Sequence, residues 1–407
     1  MAKQFDIIVY GATSFVGQIT VRYLQQHLQG SDVKWALAGR NANKLEQVKS
    51  ETGANDVPVI IADSSDEASL KAMCEQGSVI ISTVGPYALY GEPLVKACVE
   101  NGNGYCDLTG EVQWVDRMIE KYEAQAKQTG ARIVHCCGFD SIPSDMGAFF
   151  LQEQAKEVFG HTVPDTKMAV HKIRGGASGG TIASAINITK EAVKDPALRK
   201  KLLNPYLICP QPNQYTEKNW DKNFAYFDND FNAWTAPFVM AAVNTRVVFR
   251  SNALMDYAYG KGFKYSEVML TGNKAKSKRT AKGMSFGIKA FLVLAALPPT
   301  RWALEKFILP KPGEGPTPTE QEKGFFDIRH IAKDTSGKSL EIKVTGDRDP
   351  GYGSTAKMLS QAALCLAKDI DESVEGGFWT TSSLFGHKLV KRLEDHAGLT
   401  FETVQKS

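Results

Sequence analysis

Short apolar runs alternate with longer amphipathic stretches along the first third of the chain. The runs have the length and the β-branched content of buried strands, and the stretches between them repeat apolar residues at helical spacing. Strands that alternate with helices in this way predict an α/β fold with a doubly wound parallel sheet. The predicted strands are Phe5–Tyr10, Val33–Ala38, Val57–Ala62, Ser78–Ser82, Gly104–Leu108 and Ala131–Cys136.

The pattern changes after residue 146, where extended runs are separated by long connections. This predicts a second, α+β domain on a mixed or antiparallel sheet. Helical spacing returns in Thr355–Ala367 and Phe385–His396, which we expect to pack back on the first domain. The predicted domains are therefore 1–146 with 350–407, and 147–349. The extended runs are Lys167–Ile173, Asn244–Arg250, Phe263–Thr271 and Ser339–Thr345.

Composition narrows the class of protein. The chain has 407 residues, of which 43% are hydrophobic and 23% charged, as in globular proteins. Its net charge of +3 is too small to indicate a nucleic-acid partner. The seven cysteines are odd in number and form no Cys-x-x-Cys pair, and Met1 leads almost directly into the first strand. We therefore expect reduced cysteines and a cytoplasmic protein. The histidines show no metal-ligand spacing, so no metal site is expected.

A glycine-bounded turn joins the first predicted strand to the first predicted helix. Gly11 permits a tight turn, and Gly17 lets the helix pack close to the sheet. Backbone N–H groups and hydroxyls between them can donate to phosphate at the helix N-terminus. This βαβ unit predicts a Rossmann-type domain that binds a dinucleotide. The predicted pyrophosphate contacts are Gly11, Thr13, Ser14, Phe15, Val16 and Gly17.

Arg40 indicates which dinucleotide is bound. A site for NAD has Asp or Glu at the end of the second strand, to bind the ribose 2′-OH. Here Arg40 takes that place and Lys44 lies one turn further on. A guanidinium can bind a 2′-phosphate through two hydrogen bonds, so the sequence predicts NADP(H) as cofactor. The remaining predicted cofactor contacts are Asp63, Thr83, Val84, Gly85 and Pro86.

Polar residues follow the predicted strands at the edge of the sheet where ligands bind. Reduction by a nicotinamide needs a donor for the negative charge that develops on the substrate. Tyr87, Tyr90 and Glu111 are the candidate proton donors. Asp107 and Asp140 lie at the same edge, where the alternative is that they cap the following helices.

One segment has an unusual charge pattern. Gly272–Lys282 is basic, and Met284–Leu297 is apolar apart from Ser285 and Lys289. The apolar run is too short to span a bilayer. It could lie on a membrane surface or bind a lipid-like substrate, or it could be a partly buried helix preceded by a solvated loop.

These motifs together resemble the saccharopine dehydrogenase-like oxidoreductases, and most closely their trans-acting enoyl reductase branch. The resemblance extends over nearly the whole chain, with Ser14 in the place of the family's usual glycine. It implies an NADP-type nucleotide domain, a second domain over the active site and a C-terminal return to the first domain. The motifs are Gly11–Gly17, Ala38–Arg40, Thr83–Tyr87, Tyr105–Glu111, Gly138–Asp145, Ser178–Thr181 and Gly376–Thr381.

The resemblance implies an NADPH-dependent reductase that acts on the C=C bond of an acyl or lipid-like substrate, presented by a synthase or carrier protein. One alternative is a saccharopine-type reductase of an imine formed from an amino acid; this needs several cationic groups in the cleft, and only Arg174 is an obvious candidate. Another is a non-catalytic NADP-binding or membrane-associated protein. We also expect the protein to contact a membrane surface peripherally and to form a homodimer.

Overall fold

The computed structural model describes residues 3–176, 179–210, 213–307, 315–334 and 336–406. Its first sheet has seven strands, all parallel, in the order β13-β6-β5-β4-β1-β2-β3. The predicted α/β fold with a parallel sheet is confirmed. The strands are β1 (Phe5–Tyr10), β2 (Trp35–Gly39), β3 (Val59–Ile61), β4 (Gly77–Ser82), β5 (Gly104–Asp107), β6 (Arg132–Val134) and, late in the chain, β13 (Gly377–Trp379).

Helices cover both faces of this sheet, as parallel strands buried on both sides require. The helices that pack on its strands are α1 (Phe15–His27), α2 (Ala42–Thr52), α3 (Glu67–Gln76), α5 (Glu92–Glu100), α6 (Val112–Thr129) and, from the C-terminal part of the chain, α14 (Thr355–Lys368). Helix α14 contacts β4, β5 and α1. The short α4 (Tyr87–Tyr90) packs on α5, and α7 (Ile142–Phe159) packs against the second sheet.

The second sheet also has seven strands, in the order β14-β12-β11-β7-β10-β9-β8. Only its β7–β10 pair is parallel, so the predicted mixed sheet is confirmed. The strands are β7 (Asp165–Arg174), β8 (Tyr226–Asp228), β9 (Ala233–Pro237), β10 (Lys264–Gly272), β11 (Phe325–Lys333), β12 (Ser339–Gly346) and β14 (Leu399–Lys406).

The remaining helices accompany the second sheet or the C-terminal region. They are α8 (Gly179–Lys194), α9 (Pro196–Leu202), α10 (Ala241–Leu254), α11 (Ala275–Ala296), α12 (Pro298–Phe307), α13 (Pro318–Glu322), α15 (Thr381–Phe385) and α16 (His387–Ala397).

The prediction that Asn244–Arg250 is extended is wrong, because these residues lie inside α10. Their β-branched content favours a strand locally, but α10 is packed between α7, β10 and α15. Its buried polar residues have partners: Asn244 donates to Glu267, and Arg246 binds Asp221. Tertiary packing therefore overrides the local preference.

Two further elements differ from what the sequence predicts. The basic segment is not a loop, since α11 begins at Ala275 and runs unbroken into the apolar part. Residues 350–407 are expected in the first domain, whereas β14 pairs with β12 in the second sheet. Leu399 and Phe401 alternate with more exposed residues along β14, and their burial against that sheet accounts for the pairing.

The side chains of all seven cysteines are buried and unbridged. Within the described ranges, no single helix is long and apolar enough to cross a membrane. The pair Ala275–Ala296 and Pro298–Leu304, bent by 112°, meets that test of length and composition only when taken together.

Candidate active site

Two glycines bring β1, α1 and the loop after β4 into contact. Gly11 has φ +84°, and a Cβ there would lie 2.7 Å from both Thr83 Oγ1 and Val84 Cγ2. A Cβ on Gly17 would lie 2.2 Å from the carbonyl oxygen of Gly11. Side chains at either position would therefore separate the elements that form the predicted phosphate site.

Ser14 is the N-cap of α1. Its Oγ accepts a hydrogen bond from the N–H of Gly17 at 2.9 Å and lies 2.9 Å from Thr83 Oγ1. The first turn of α1 contains no acidic residue. In the described part of the chain, the N–H groups of Phe15 and Val16 have no recorded partner. They point out of the positive end of the helix, where a pyrophosphate fits.

Arg40 follows the end of β2, and Lys44 lies in the first turn of α2. Both are exposed, and Asn41 between them caps α2 by accepting from the N–H of Lys44 at 3.0 Å. The first turn of α2 has no carboxylate. Asp63 lies nearby at the end of β3; hydrogen bonds from Ser65, and to a smaller extent the Arg40 charge, lower its pKa. Two cations beside a helix N-terminus fit a 2′-phosphate.

Glu111 holds the loop after β4 in place. Its Oε1 accepts from the N–H of Tyr87 at 2.7 Å and from the Ser184 hydroxyl at 3.0 Å, while Oε2 accepts from the N–H of Ala88 at 3.3 Å. The side chain is fully buried, and burial raises its pKa. Because Ser184 belongs to α8, this one carboxyl group joins the first sheet, the loop and the second domain.

The predicted proton donors Tyr87 and Tyr90 lie in different surroundings. The Tyr87 hydroxyl is buried and donates to the carbonyl of Ser82 at 2.9 Å; burial raises its pKa well above the ordinary value. Tyr90 is 48% exposed at the rim of the same loop. Both the Tyr87 and the Glu111 side chains are thus engaged within the protein, and the catalytic roles of all three residues stay predictions.

Asp107 does not cap α6. It is fully buried and lies 2.6 Å from Nδ1 of His135 through Oδ2. It also accepts from the Tyr105 hydroxyl at 3.0 Å and from the N–H groups of Thr109 and Cys136 at 3.1 and 3.0 Å. The carboxylate therefore ties the end of β5 to the end of β6.

Asp140 is not a cap either, because the N-cap of α7 is Ser141, which makes no side-chain cap bond. The Asp140 side chain is half-buried. Among the described residues it has no recorded hydrogen bond or ion pair. Burial, and then the charge of Asp107, raise its pKa to about 7. From the sequence, Asp140 is expected at the ligand-binding edge of the sheet, with helix capping as the alternative. The signal for a chemical role is a second carboxylate at the end of a strand adjacent to that of Asp107.

The glycine-rich segment after β7 lies near the start of α1. The N–H of Gly179 donates to the Tyr352 hydroxyl at 2.9 Å, and the Tyr352 ring packs edge-on against Phe15 with centroids 4.7 Å apart. Ser178, the first residue of the motif Ser178–Thr181, and the preceding Ala177 lie outside the described residues. Parts of the second domain thus lie beside the predicted phosphate site.

Comparison with known proteins agrees with this geometry. Residues 7–134 match the family model described as the saccharopine dehydrogenase NADP binding domain. Across 98% of this chain and 99% of that chain, the fold resembles apo saccharopine dehydrogenase (L-Glu forming) from Saccharomyces cerevisiae, with a TM-score of 0.55 and 13% identity. The fold, the glycine-bounded turn and the match to the family model together define an NADP-dependent oxidoreductase, and NADP(H) is its cofactor.

Full-length relatives identify the family. The trans-acting enoyl reductase of Mycobacterium tuberculosis is 36% identical over 420 residues, covering 100% of this chain and 99% of the relative. That of Mycobacterium ulcerans is 37% identical over 415 residues, with 96% of both chains covered. A second Mycobacterium tuberculosis protein, provisionally designated an enoyl reductase of the same kind, is 38% identical over 418 residues, 99% of this chain and 98% of its own. The chain belongs to the trans-acting enoyl reductase family.

Proposed function

We propose that this protein uses NADPH to reduce the C=C bond of an enoyl thioester carried by a separate synthase or carrier protein. The observation that carries the proposal is identity of 36–38% with trans-acting enoyl reductases along essentially the whole chain. Both the nucleotide domain and the second domain are included in that similarity.

The residues present fit the cofactor. Gly11 and Gly17 leave the space that a phosphate loop needs, and the first turns of α1 and α2 carry no opposing carboxylate. We expect Phe15 and Val16 to bind the pyrophosphate through their N–H groups, and Arg40 with Lys44 to bind the 2′-phosphate. When bound, NADPH supplies a hydride. The loop held by Glu111 then lies beside the place where the substrate is bound.

The buried arginines argue against an amino-acid imine as substrate. Arg246 binds Asp221 and donates to the carbonyl of Leu202 at 2.9 Å. Arg250 donates to the carbonyl oxygens of Ile208 and Phe378. Both guanidinium groups are therefore engaged within the protein, which supports a substrate without free carboxylates over one that requires several cations.

The rim of the cofactor loop is apolar. Leu89 and Tyr90 follow that loop directly and are 59% and 48% exposed. Exposed apolar side chains next to a cofactor site support an acyl chain as the bound group.

The test is NADPH oxidation by the purified protein with three substrates in parallel. These are a 2-enoyl thioester on a carrier protein, the same acyl chain on pantetheine, and an amino acid mixed with an aldehyde. The proposal expects oxidation with the enoyl thioesters, fastest on the carrier. Oxidation only with the amino acid and aldehyde would contradict it and favour the saccharopine-type alternative.

We also propose that α11 and α12 touch an anionic membrane surface. Phe286 and Val293 on α11 are 74% and 60% exposed, and Leu297 and Trp302 around the bend are more than half exposed. Residues 272–307 contain eight Lys or Arg and one Glu, so the rest of the chain is net negative. Exposed apolar side chains with flanking cations favour the lipid interface.

Vesicle sedimentation tests this contact. The wild-type protein is expected to bind vesicles that contain phosphatidylglycerol more than pure phosphatidylcholine vesicles, and Phe286→Asp to reduce that binding. Leu203→Asp is the matched control, because Leu203 is 72% exposed in another part of the molecule. Equal binding by all three proteins, or binding to the carrier protein in place of vesicles, would contradict the membrane proposal. The homodimer stays a prediction.

A further inference from the structure

We infer that Asp140 is the proton donor of this reductase, delivering a proton to the α-carbon of the enoyl substrate. The inference rests on the proposed function and adds a residue to its site. It is carried by the position of the Asp140 carboxyl group, by the fixed backbone that holds it and by the engagement of Tyr87, Asp107 and Glu111 within the protein.

The backbone around Asp140 is fixed from both domains. On one side the N–H of Phe139 donates to Oγ1 of Thr355 at 3.0 Å, which ties it to α14. On the other side the Ser141 hydroxyl donates to Oδ1 of Asn244 at 3.1 Å, which ties it to α10. Asp140 therefore lies at the junction of the two domains, in a position that is set before the substrate binds.

The location is the ligand-binding edge of the first sheet. Asp140 follows β6, which is adjacent to β5, and β5 in turn is adjacent to β4, whose loop is predicted to contact the cofactor. Burial, and to a smaller extent the charges of Asp107 and Asp140, raise the pKa of both Tyr87 and Cys136, so the Asp140 carboxyl group lies near the loops at that edge. Substrates of doubly wound folds bind at this edge.

The Asp140 carboxyl is available, whereas its neighbours are not. The Asp107 carboxylate accepts hydrogen bonds from three donors and also contacts His135. The Glu111 carboxyl group accepts hydrogen bonds from three other donors. In the described part of the chain Asp140 has no recorded partner. It is half-buried, so it can exchange protons with solvent between turnovers.

Asp107 also favours the protonated form of Asp140. Burial and the negative charge of Asp107 raise the pKa of Asp140 to about 7, so a substantial fraction carries a proton at neutral pH. A general acid works best when its pKa lies near the working pH.

The chemistry balances with NADPH as reductant. A hydride adds to the β-carbon, and the electron pair of the C=C bond moves towards the thioester carbonyl to give an enolate. The O–H bond of Asp140 then breaks as a C–H bond forms at the α-carbon. The products are the saturated thioester, NADP⁺ and the Asp140 carboxylate, which regains its proton from solvent.

The experiment compares wild type with Asp140→Asn, which keeps the shape of the side chain but removes the acidic proton. With an enoyl thioester, kcat is expected to fall by roughly a hundredfold or more, while the Kd for NADPH changes less than about twofold. Asp140→Glu is expected to recover part of kcat. Unchanged kcat in Asp140→Asn, with an active wild type, would overturn the inference.

A second readout does not depend on turnover. In protein labelled with ¹³C at the aspartate carboxyl carbons, one signal is expected to titrate near neutral pH, to be lost in Asp140→Asn, and to move to lower pH in Asp107→Asn. A signal that titrates only in the ordinary acidic range would overturn the inference even if the wild type is active. An inactive wild type with every enoyl thioester would refute the proposed function, and the inference with it.

Discussion

Oε1 of Glu111 lies 2.7 Å from the backbone nitrogen of Tyr87, in a hydrogen bond that joins the end of β5 to the loop after β4. The same oxygen accepts from Ser184 of the second domain at 3.0 Å. The residue predicted as a proton donor from its place in the sequence thus supports the cofactor loop and its contact with α8.

Removing this carboxyl should loosen the loop. Glu111→Ala leaves the buried N–H of Tyr87 without its acceptor, which costs about 1–3 kcal/mol in the free energy of unfolding. Ser184→Ala removes only one of the three donors and should cost less. Urea unfolding together with NADPH titration checks both variants, with the exposed Glu100→Gln as control. A Glu111→Ala protein as stable as the control would show that the contact contributes nothing.

Arg40 should discriminate between the two nicotinamide cofactors. Loss of a charge-assisted hydrogen bond costs about 1.5–3 kcal/mol, so Arg40→Ala should weaken NADPH binding roughly ten- to a hundredfold and leave NADH nearly unchanged. Fluorescence titration with each cofactor measures this, with exposed Lys71→Ala as the charge-matched control. Equal losses for NADPH and NADH would mean that Arg40 does not contact the 2′-phosphate.

Gly17 should tolerate no branched side chain. Its Cβ would lie 2.2 Å from a backbone oxygen, so Gly17→Val must displace α1 from β1 and should abolish nucleotide binding. Gly283→Val makes the same change on α11, where a Cβ would meet nothing within 4 Å. NADPH titration of both folded proteins makes the comparison. If Gly17→Val keeps the wild-type affinity, the pyrophosphate binds elsewhere.

Buried Glu267 should make stability fall as pH rises. Burial raises its pKa to about 7, although Asn244 and Tyr265 both donate to it at 2.9 Å. The folded state holds this proton more tightly than the unfolded state does. Protonated Glu267 therefore makes its full contribution to the free energy of unfolding below the unfolded pKa of roughly 4, and this contribution is lost as the pH rises towards 7.

Glu267→Gln should therefore flatten the decline in stability over that range, by up to about 3 kcal/mol. The measurement is the urea midpoint at several pH values from 4 to 8, with exposed Glu402→Gln as control. A variant that declines with pH as steeply as the wild type would show that Glu267 does not titrate in this range.

Periodicity predicted the nucleotide domain well, because strands buried on both faces and glycine-bounded turns are local signals. The limits of the strand Phe5–Tyr10 were predicted to the residue. Asn244–Arg250 was predicted wrongly because its helix depends on contacts with distant elements. For the same reason, the sequence could not distinguish the supporting role of Glu111 from the free carboxyl group of Asp140. Whether a carboxyl group is engaged or free depends on donors such as Ser184, far away in the sequence.

The role of Ser14 was also beyond the sequence alone. Its hydroxyl accepts from the N–H of Gly17 and so caps α1, at a position where the resemblance implies a glycine. A serine N-cap stabilises a helix by about 1 kcal/mol. The capped helix keeps its first N–H groups directed at the phosphate site.

We propose that hydride passes from NADPH to the β-carbon of an enoyl thioester. The most direct test of this transfer is reduction of a carrier-bound 2-enoyl chain with NADPH deuterated at C4 of the nicotinamide, followed by mass spectrometry and NMR of the product. We expect one deuterium at the β-carbon of a saturated product, with NADPH much preferred over NADH. No transfer to any enoyl chain, or deuterium found only in the product of a parallel reaction with an amino acid and an aldehyde, would contradict this transfer.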